Sequence, residues 1–158
     1  EELEMCFSSI SAGTDNTCVV ENSGSVYCWG LNKYGQIGKG FSDEIWDSTF
    51  NFNPSIVSID SDETATHVVN GDGTSCLILD TLELLCWGHN NRGQIGDYST
   101  FDSFSPMTVG FDDITSVSDV ALGFQFTCAI INQGDVYCWG NNNYGQSGGE
   151  SSSEILFG

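Results

Sequence analysis

Positive charge is nearly missing from this chain: three Lys and Arg stand against 22 Asp and Glu in 158 residues, a formal charge of −19. So acidic a surface repels phosphates and anionic headgroups, which excludes a nucleic-acid or membrane partner held by charge. No apolar run approaches the ~18 residues of a spanning helix, so none is predicted. Histidine occurs twice, at His67 and His89, with no H-E-x-x-H pair, and neither residue has a partner that suggests catalysis. G-x-S-x-G and G-x-x-x-x-G-K-[ST] are also absent, and a dinucleotide reading of "GDGTSC" fails because residue 76 is Cys where a third glycine is needed. There is no N-x-[ST] sequon, since Asn53 precedes proline. No basic stretch leading into an apolar run opens the sequence, so no secretory leader is read there. Its start at Glu1 fits a mature product or a portion of a longer chain.

What the sequence does have is repetition. "CWGLNKYGQIG" (28–38) returns as "CWGHNNRGQIG" (86–96) and "CWGNNNYGQSG" (138–148). Ten residues before each opening cysteine lies another: Cys18, Cys76 and Cys128. Five residues before those lies Gly13, Gly71 or Gly123. The two prolines, Pro54 and Pro106, stand 17 residues before the second and third of these glycines, and the spacer of variable length falls between phrase and proline. A fixed period of this length marks a repeat architecture in one domain, 1–158, with units at about 1–53, 54–105 and 106–158.

Each unit reads as β. The proline leads "SIVSI" and "MTVGF", predicted to open the second and third units; "SSISA", "ATHVV" and "SDVAL" follow as the next strand. A hairpin completes the unit, as in "TCVVENSGSVYCW", with loops Asn22-Ser23-Gly24, Asp80-Thr81-Leu82 and Asn132-Gln133-Gly134. Glycine in third place suits a left-handed loop residue, so Leu82 predicts local strain or a different loop. In the phrase, Asn32, Asn90 and Asn142 are expected to bond their own turn, and Gln36, Gln94 and Gln146 to satisfy loop amides. Trp29, Trp87 and Trp139 are the largest apolar groups of their units, and packing between neighbouring units is expected of them.

Counted outward from each hairpin loop, the cysteines fall opposite one another on antiparallel strands. This predicts disulfides Cys18–Cys28, Cys76–Cys86 and Cys128–Cys138. Zinc would require closer C-x₂₋₄-C spacing, and free thiols are the other alternative. Three matched pairs point to an extracellular or cell-surface setting. Cys6 has no counterpart and is a candidate for a bond to another chain. Asp60-Ser61-Asp62-Glu63 and Asn70-Gly71-Asp72-Gly73 offer oxygens to Ca²⁺ but lack EF-hand spacing; solvated loops are the plainer reading, and no cofactor is expected. Phe41, Ile45, Trp46, Phe50 and Phe52 in the first spacer are the candidate partner contacts.

The phrase Trp29-Gly30, Asn32, Gly35, Gln36, Gly38, repeated at 87–96 and 139–148, resembles the regulator of chromosome condensation repeat. The paired cysteines resemble those of secreted microbial members. The resemblance implies a β-propeller with four strands per blade and seven blades, where this sequence has three units. Three are fewer than the ~4–8 that close a propeller, so the terminal units are expected to need cover from further repeats or a second copy. The first unit is expected to lack its proline-led strand, a gap for a neighbour's strand to fill with Cys6 as the lock. "EIL" (154–156), matching "EIW" (44–46) in its offset from the phrase, is expected to start a fourth unit. The reading is a non-enzymatic extracellular structural or adhesive protein that self-assembles, in head-to-tail rings or filaments. The alternative is a protein-binding propeller fragment such as a secreted inhibitor. Nucleotide exchange on a small nuclear GTPase, which the family name suggests, fits the charge and cysteines least.

Overall fold

Short runs of alternating and β-branched apolar residues, punctuated by glycine turns, fold as antiparallel strands joined in sequence order. A computed structural model describes residues 5–41, 51–60, 62–111 and 114–148. The first sheet is β1 (Phe7–Ala12), β2 (Asn16–Glu21), β3 (Val26–Gly30) and β4 (Asn51–Ile56). The second is β5 (Ala65–Asn70), β6 (Thr74–Leu79), β7 (Leu84–Gly88) and β8 (Ser103–Thr108). The third is β9 (Val117–Leu122), β10 (Phe126–Ile131) and β11 (Asp135–Gly140), three strands among the described residues. These are successive blades of an incomplete β-propeller.

The first strands of the blades lie side by side. Val68 N donates to Ser9 Oγ at 3.3 Å, and Asn70 N to Ser11 Oγ at 2.9 Å. The turns beyond these strands approach so closely that a Cβ on Gly13 would lie 2.5 Å from the Gly71 carbonyl oxygen. Glycine is required there for space alone, at a negative φ.

Register places Cys18 opposite Cys28, Cys76 opposite Cys86 and Cys128 opposite Cys138. The paired Cα atoms are 4.0–4.1 Å apart and each pair is disulfide-bonded. The hairpin thus creates the geometry, and the bond fixes its register.

Two expectations are corrected by the strand order. The proline-led run does not open a unit: Pro54 lies in β4 and Pro106 in β8, each the outer edge of the preceding blade. Proline has no N–H to donate to a ladder, so an outer edge accommodates it. Unit borders at 53/54 and 105/106 therefore cut through a strand. The first blade, expected to lack a strand, has all four, which removes the gap that a donated strand was to fill.

The second hairpin keeps the loop of its neighbours despite Leu82. Leu82 N donates to Leu79 O, as Gly24 N does to Glu21 O and Gly134 N to Ile131 O. Leu82 holds a φ of 69° while about half exposed, so its side chain offers little packing in return. Leu82→Gly is expected to raise stability by about 1 kcal/mol, read as a higher denaturant midpoint with unchanged slope.

Candidate functional site: the joints between blades

A four-stranded sheet with apolar residues on both faces cannot bury either face by itself. Strand alternation sends Cys18, Val20, Val26 and Cys28 to one side of the first blade, where they meet Ala65, Val68, Leu77, Leu79, Leu85 and Trp87 of the second. One joint forms there. Cys76, Ile78, Leu84 and Cys86 meet Val117, Val120, Ala129, Ile131 and Trp139 in the next. The two hydrophobic cores among the described residues are thus inter-blade joints, and the first two disulfides lie inside them.

A polar clasp recurs at the turn end of each joint. The Trp87 indole N–H donates to the main-chain carbonyl of Gln36 at 3.0 Å, and the Ser75 hydroxyl donates to the same oxygen at 2.9 Å. Trp139 and Thr127 do the same to Gln94 O, at 3.0 and 2.7 Å. Both lone pairs of a buried carbonyl are thereby used. The phrase holds that carbonyl in place. Gln36 Oε1 accepts from Tyr34 N at 2.8 Å, and Asn32 Oδ1 from Ile37 N at 3.2 Å, so both side chains are used within the turn. Gln94 and Asn90 repeat the pattern with Arg92 N and Ile95 N. Glycine lets the indole in: a Cβ on Gly38 or Gly96 would sit 2.9 or 2.8 Å from the indole nitrogen. Across the first joint the Tyr34 ring stacks on His89, centroids 4.1 Å apart.

Trp87 and Trp139 therefore pack between blades, whereas Trp29 stands on the outer face of the first blade, half-buried. Trp29 lines an open cleft of about 640 Å³ with Asp15, Leu31 and Phe52. Matching positions show how open this face is: Ile10 is 73% exposed, against 3% for Val68 and 5% for Val120. The far face of the third blade exposes Ile130 and Val136 at the places of buried Val20 and Val26, and Cys128–Cys138 is only half-buried.

Of the candidate partner contacts, Phe41 and Phe52 are exposed on the turn side; Ile45, Trp46 and Phe50 lie outside the described residues. Phe101 and Phe104 are further exposed aromatics, which sequence reading missed, and Phe52 lines the Trp29 cleft. Phe104 O accepts from Gly40 N at 2.8 Å across the joint, and Lys39 Nζ sits 4.5 Å above the Phe41 ring. Lys33, Lys39 and Arg92, the chain's three cations, all lie on this side. The hairpin side carries Glu21, Asp60, Asp62, Glu63, Asp80, Glu83 and Asp135 with no cation. The turn side sets its cations among Asp15, Asp72, Asp97 and Asp102, so the hairpin side is the more negative of the two among the described residues.

His67 is exposed on β5, and His89 belongs to the joint. Among the described residues no three His, Cys, Asp or Glu cluster as metal ligands. Glu63 Oε2 instead accepts from Asp60 N at 3.0 Å, closing a turn. Cys6 is an exposed thiol just ahead of β1. The clasp hydroxyls also went unremarked in the sequence. Their signal was present: Thr17, Ser75 and Thr127 each precede the first cysteine of a pair.

Family models of the regulator of chromosome condensation (RCC1) repeat match residues 7–36 and 117–146, and 23–78 and 83–130. The ultraviolet-B receptor UVR8 of Arabidopsis thaliana is 31% identical over 145 residues, 91% of this chain and 32% of that protein. Yeast RCC1 (Prp20), solved bound to Kap60, superposes with a TM-score of 0.78 at 18% identity, over 92% of this chain and 35% of its own. Prp20p of Saccharomyces cerevisiae, whose structure was described with its binding properties to Gsp1p and histones, gives 0.79 at 17%, over 94% and 36%. The chain spans about a third of the length of each of these relatives.

Trp87→Phe removes an indole donor and leaves a void in a closed joint, so a loss of about 2 kcal/mol in denaturant unfolding is expected. Trp29→Phe at the open face is expected to change stability by less than about 0.5 kcal/mol. Burial holds the His89 pKa below its ordinary 6.5, with Lys33 adding to the effect while Asp102 and Asp72 oppose it. The folded chain thus binds this proton less readily than the unfolded chain. Its contribution is full above pH 6.5 and falls as pH drops below that value, and His89→Gln is expected to flatten this part of the stability–pH curve.

Proposed function

Because the chain belongs to the regulator of chromosome condensation (RCC1) repeat family, we propose that it is a non-enzymatic, protein-binding propeller module acting outside the cell. The observation that carries this reading is the exposure of the aromatic side chains of Phe41, Phe101 and Phe104, with Lys39 Nζ 4.5 Å above the Phe41 ring. Exposed aromatics of this kind are the usual anchors of protein interfaces. That yeast RCC1 was solved in complex with Kap60, and that Prp20p is described with Gsp1p and histone binding, supports protein recognition as the general role. The partner of this chain is a different one in our reading, since three disulfides belong to an oxidising compartment and a charge of −19 suits neither chromatin nor phosphate. The exposure of Ile10 on the first blade and of Ile130 and Val136 on the third favours a second reading: a structural or adhesive protein that self-assembles, as a filament subunit in its extended form.

Two measurements test the module reading. A photo-crosslinking amino acid at the position of Phe101 is expected to capture a protein partner on source-cell surfaces, whereas one at Thr81 on the hairpin side is not; equal or absent capture at both would refute it. Alkylation of native material without reductant is expected to label Cys6 alone, and labelling of all seven cysteines would overturn the extracellular placement.

A further inference from the structure

We propose that residues 97–105 form a preorganised strap that presents Phe101 as the anchor of a protein contact. The partner receives the ring in an apolar pocket with a basic rim. The inference rests on the protein-binding reading above, and it names the anchor and the chemistry of the partner.

The strap joins the second phrase to β8 on the turn side. Connections of this kind are usually the mobile part of a fold, but this one is tied along its length. Asn90 Nδ2 lies 3.0–3.2 Å from four of its acceptors: Asp97 Oδ1, Ser99 O, Ser99 Oγ and Phe101 O. The Asp97 carboxylate also accepts from Ser99 N and from the Ser99 hydroxyl, and that hydroxyl accepts from Phe101 N at 3.2 Å. Asp102 Oδ1 accepts from Asn90 N at 2.8 Å. Tyr98 holds a φ of 59°, where the first spacer has Gly40 at 87°. Its ring meets Phe111 edge-on, with centroids 5.6 Å apart. A bulky residue keeps a left-handed backbone only where its surroundings fix it. Asn90 thus pins the strap to its own phrase and Tyr98 pins it to the second joint, and neither tie involves the first or third blade.

Phe101 stands between these ties. Both its amide and its carbonyl are bonded, yet its side chain is 80% exposed. The backbone is therefore fixed while the ring projects into solvent. An aromatic anchor held still before binding loses little freedom when it docks, so its burial goes into affinity. Burying such a ring takes an apolar pocket on the partner. Charge sets the rim of that pocket. Asp102 adjoins Phe101 and is exposed, no Lys or Arg occurs in the strap, and the chain as a whole carries −19. The complementary rim is basic.

The test is competition. Capture on source-cell surfaces by an aromatic photo-crosslinker at the position of Phe101 is challenged with unlabelled protein, and the concentration that halves capture is read. Phe101→Ala is expected to compete at least about tenfold less well than wild type. Ser99→Gly keeps Phe101 and Asp102 but unties the strap, and is expected to compete about fivefold less well. Asp102→Asn is expected to compete about threefold less well at roughly 50 mM salt and like wild type at roughly 500 mM. Hydrogen exchange of the free protein is expected to show a protected Phe101 amide, exchanging at least about tenfold faster in Ser99→Gly. Phe101→Ala is expected to keep the wild-type denaturant midpoint; a lowered midpoint would place the ring in the protein's own packing and overturn the proposal. Phe101→Ala competing like wild type would remove the anchor, and capture itself would leave the protein-binding reading standing. An unprotected Phe101 amide in wild type, or Ser99→Gly competing like wild type, would overturn the preorganisation. Asp102→Asn competing like wild type at low salt would overturn the basic rim. Absence of capture altogether would sink the protein-binding reading, and the anchor with it.

Discussion

A backbone carbonyl held still by its own side chain is the contact on which the structure turns. Gln36 and Gln94 use their side-chain oxygens inside the phrase, so their main-chain oxygens project rigidly into the next blade. An indole and a hydroxyl meet each one. Burying a carbonyl costs about 1–3 kcal/mol when it is left unpaired, so the clasp makes a misplaced blade expensive. The apolar residues below it supply attraction without direction; the clasp supplies the direction.

The same arrangement explains the placement of the disulfides. Each bond lies on the face its blade presents to the next, inside the joint for the first two blades and half-exposed for the third. A cross-strand bond there fixes the hairpin whose residues make that face. The hairpin closes a short loop, which in the chain-entropy model is worth roughly 2–3 kcal/mol. The joint thus depends on the hairpin register that the bond secures.

With both faces of a blade engaged by its neighbours, the turn side and the hairpin side are what the joints leave exposed. They differ in character: the turn side carries all three cations among its aspartates, and the hairpin side carries acids without a cation among the described residues. The end faces are a separate case, because their residues match positions buried elsewhere in the chain. His89, although titratable and near two carboxylates, is occupied in stacking at a joint.

The repeat, its β character and the cysteine pairing were legible in the sequence because each depends on spacing. Ten residues around a three-residue loop place two cysteines opposite one another, and the phrase carries its own turn chemistry. The sequence could not show to which blade a strand belongs. "NPSI" (53–56) reads equally well as the start of one unit or the edge of the last, and pairing with β3 decides for the edge. Nor could it distinguish Trp29 from Trp87, which share Cys-Trp-Gly and differ in that the first phrase packs on Trp87 while Trp29 is half-buried. Phe104 came to lie beside the first phrase through a fold that lays β8 against it. Local spacing sets what neighbours along a strand do; contacts between blades join residues some fifty positions apart, and only the tertiary structure brings those together.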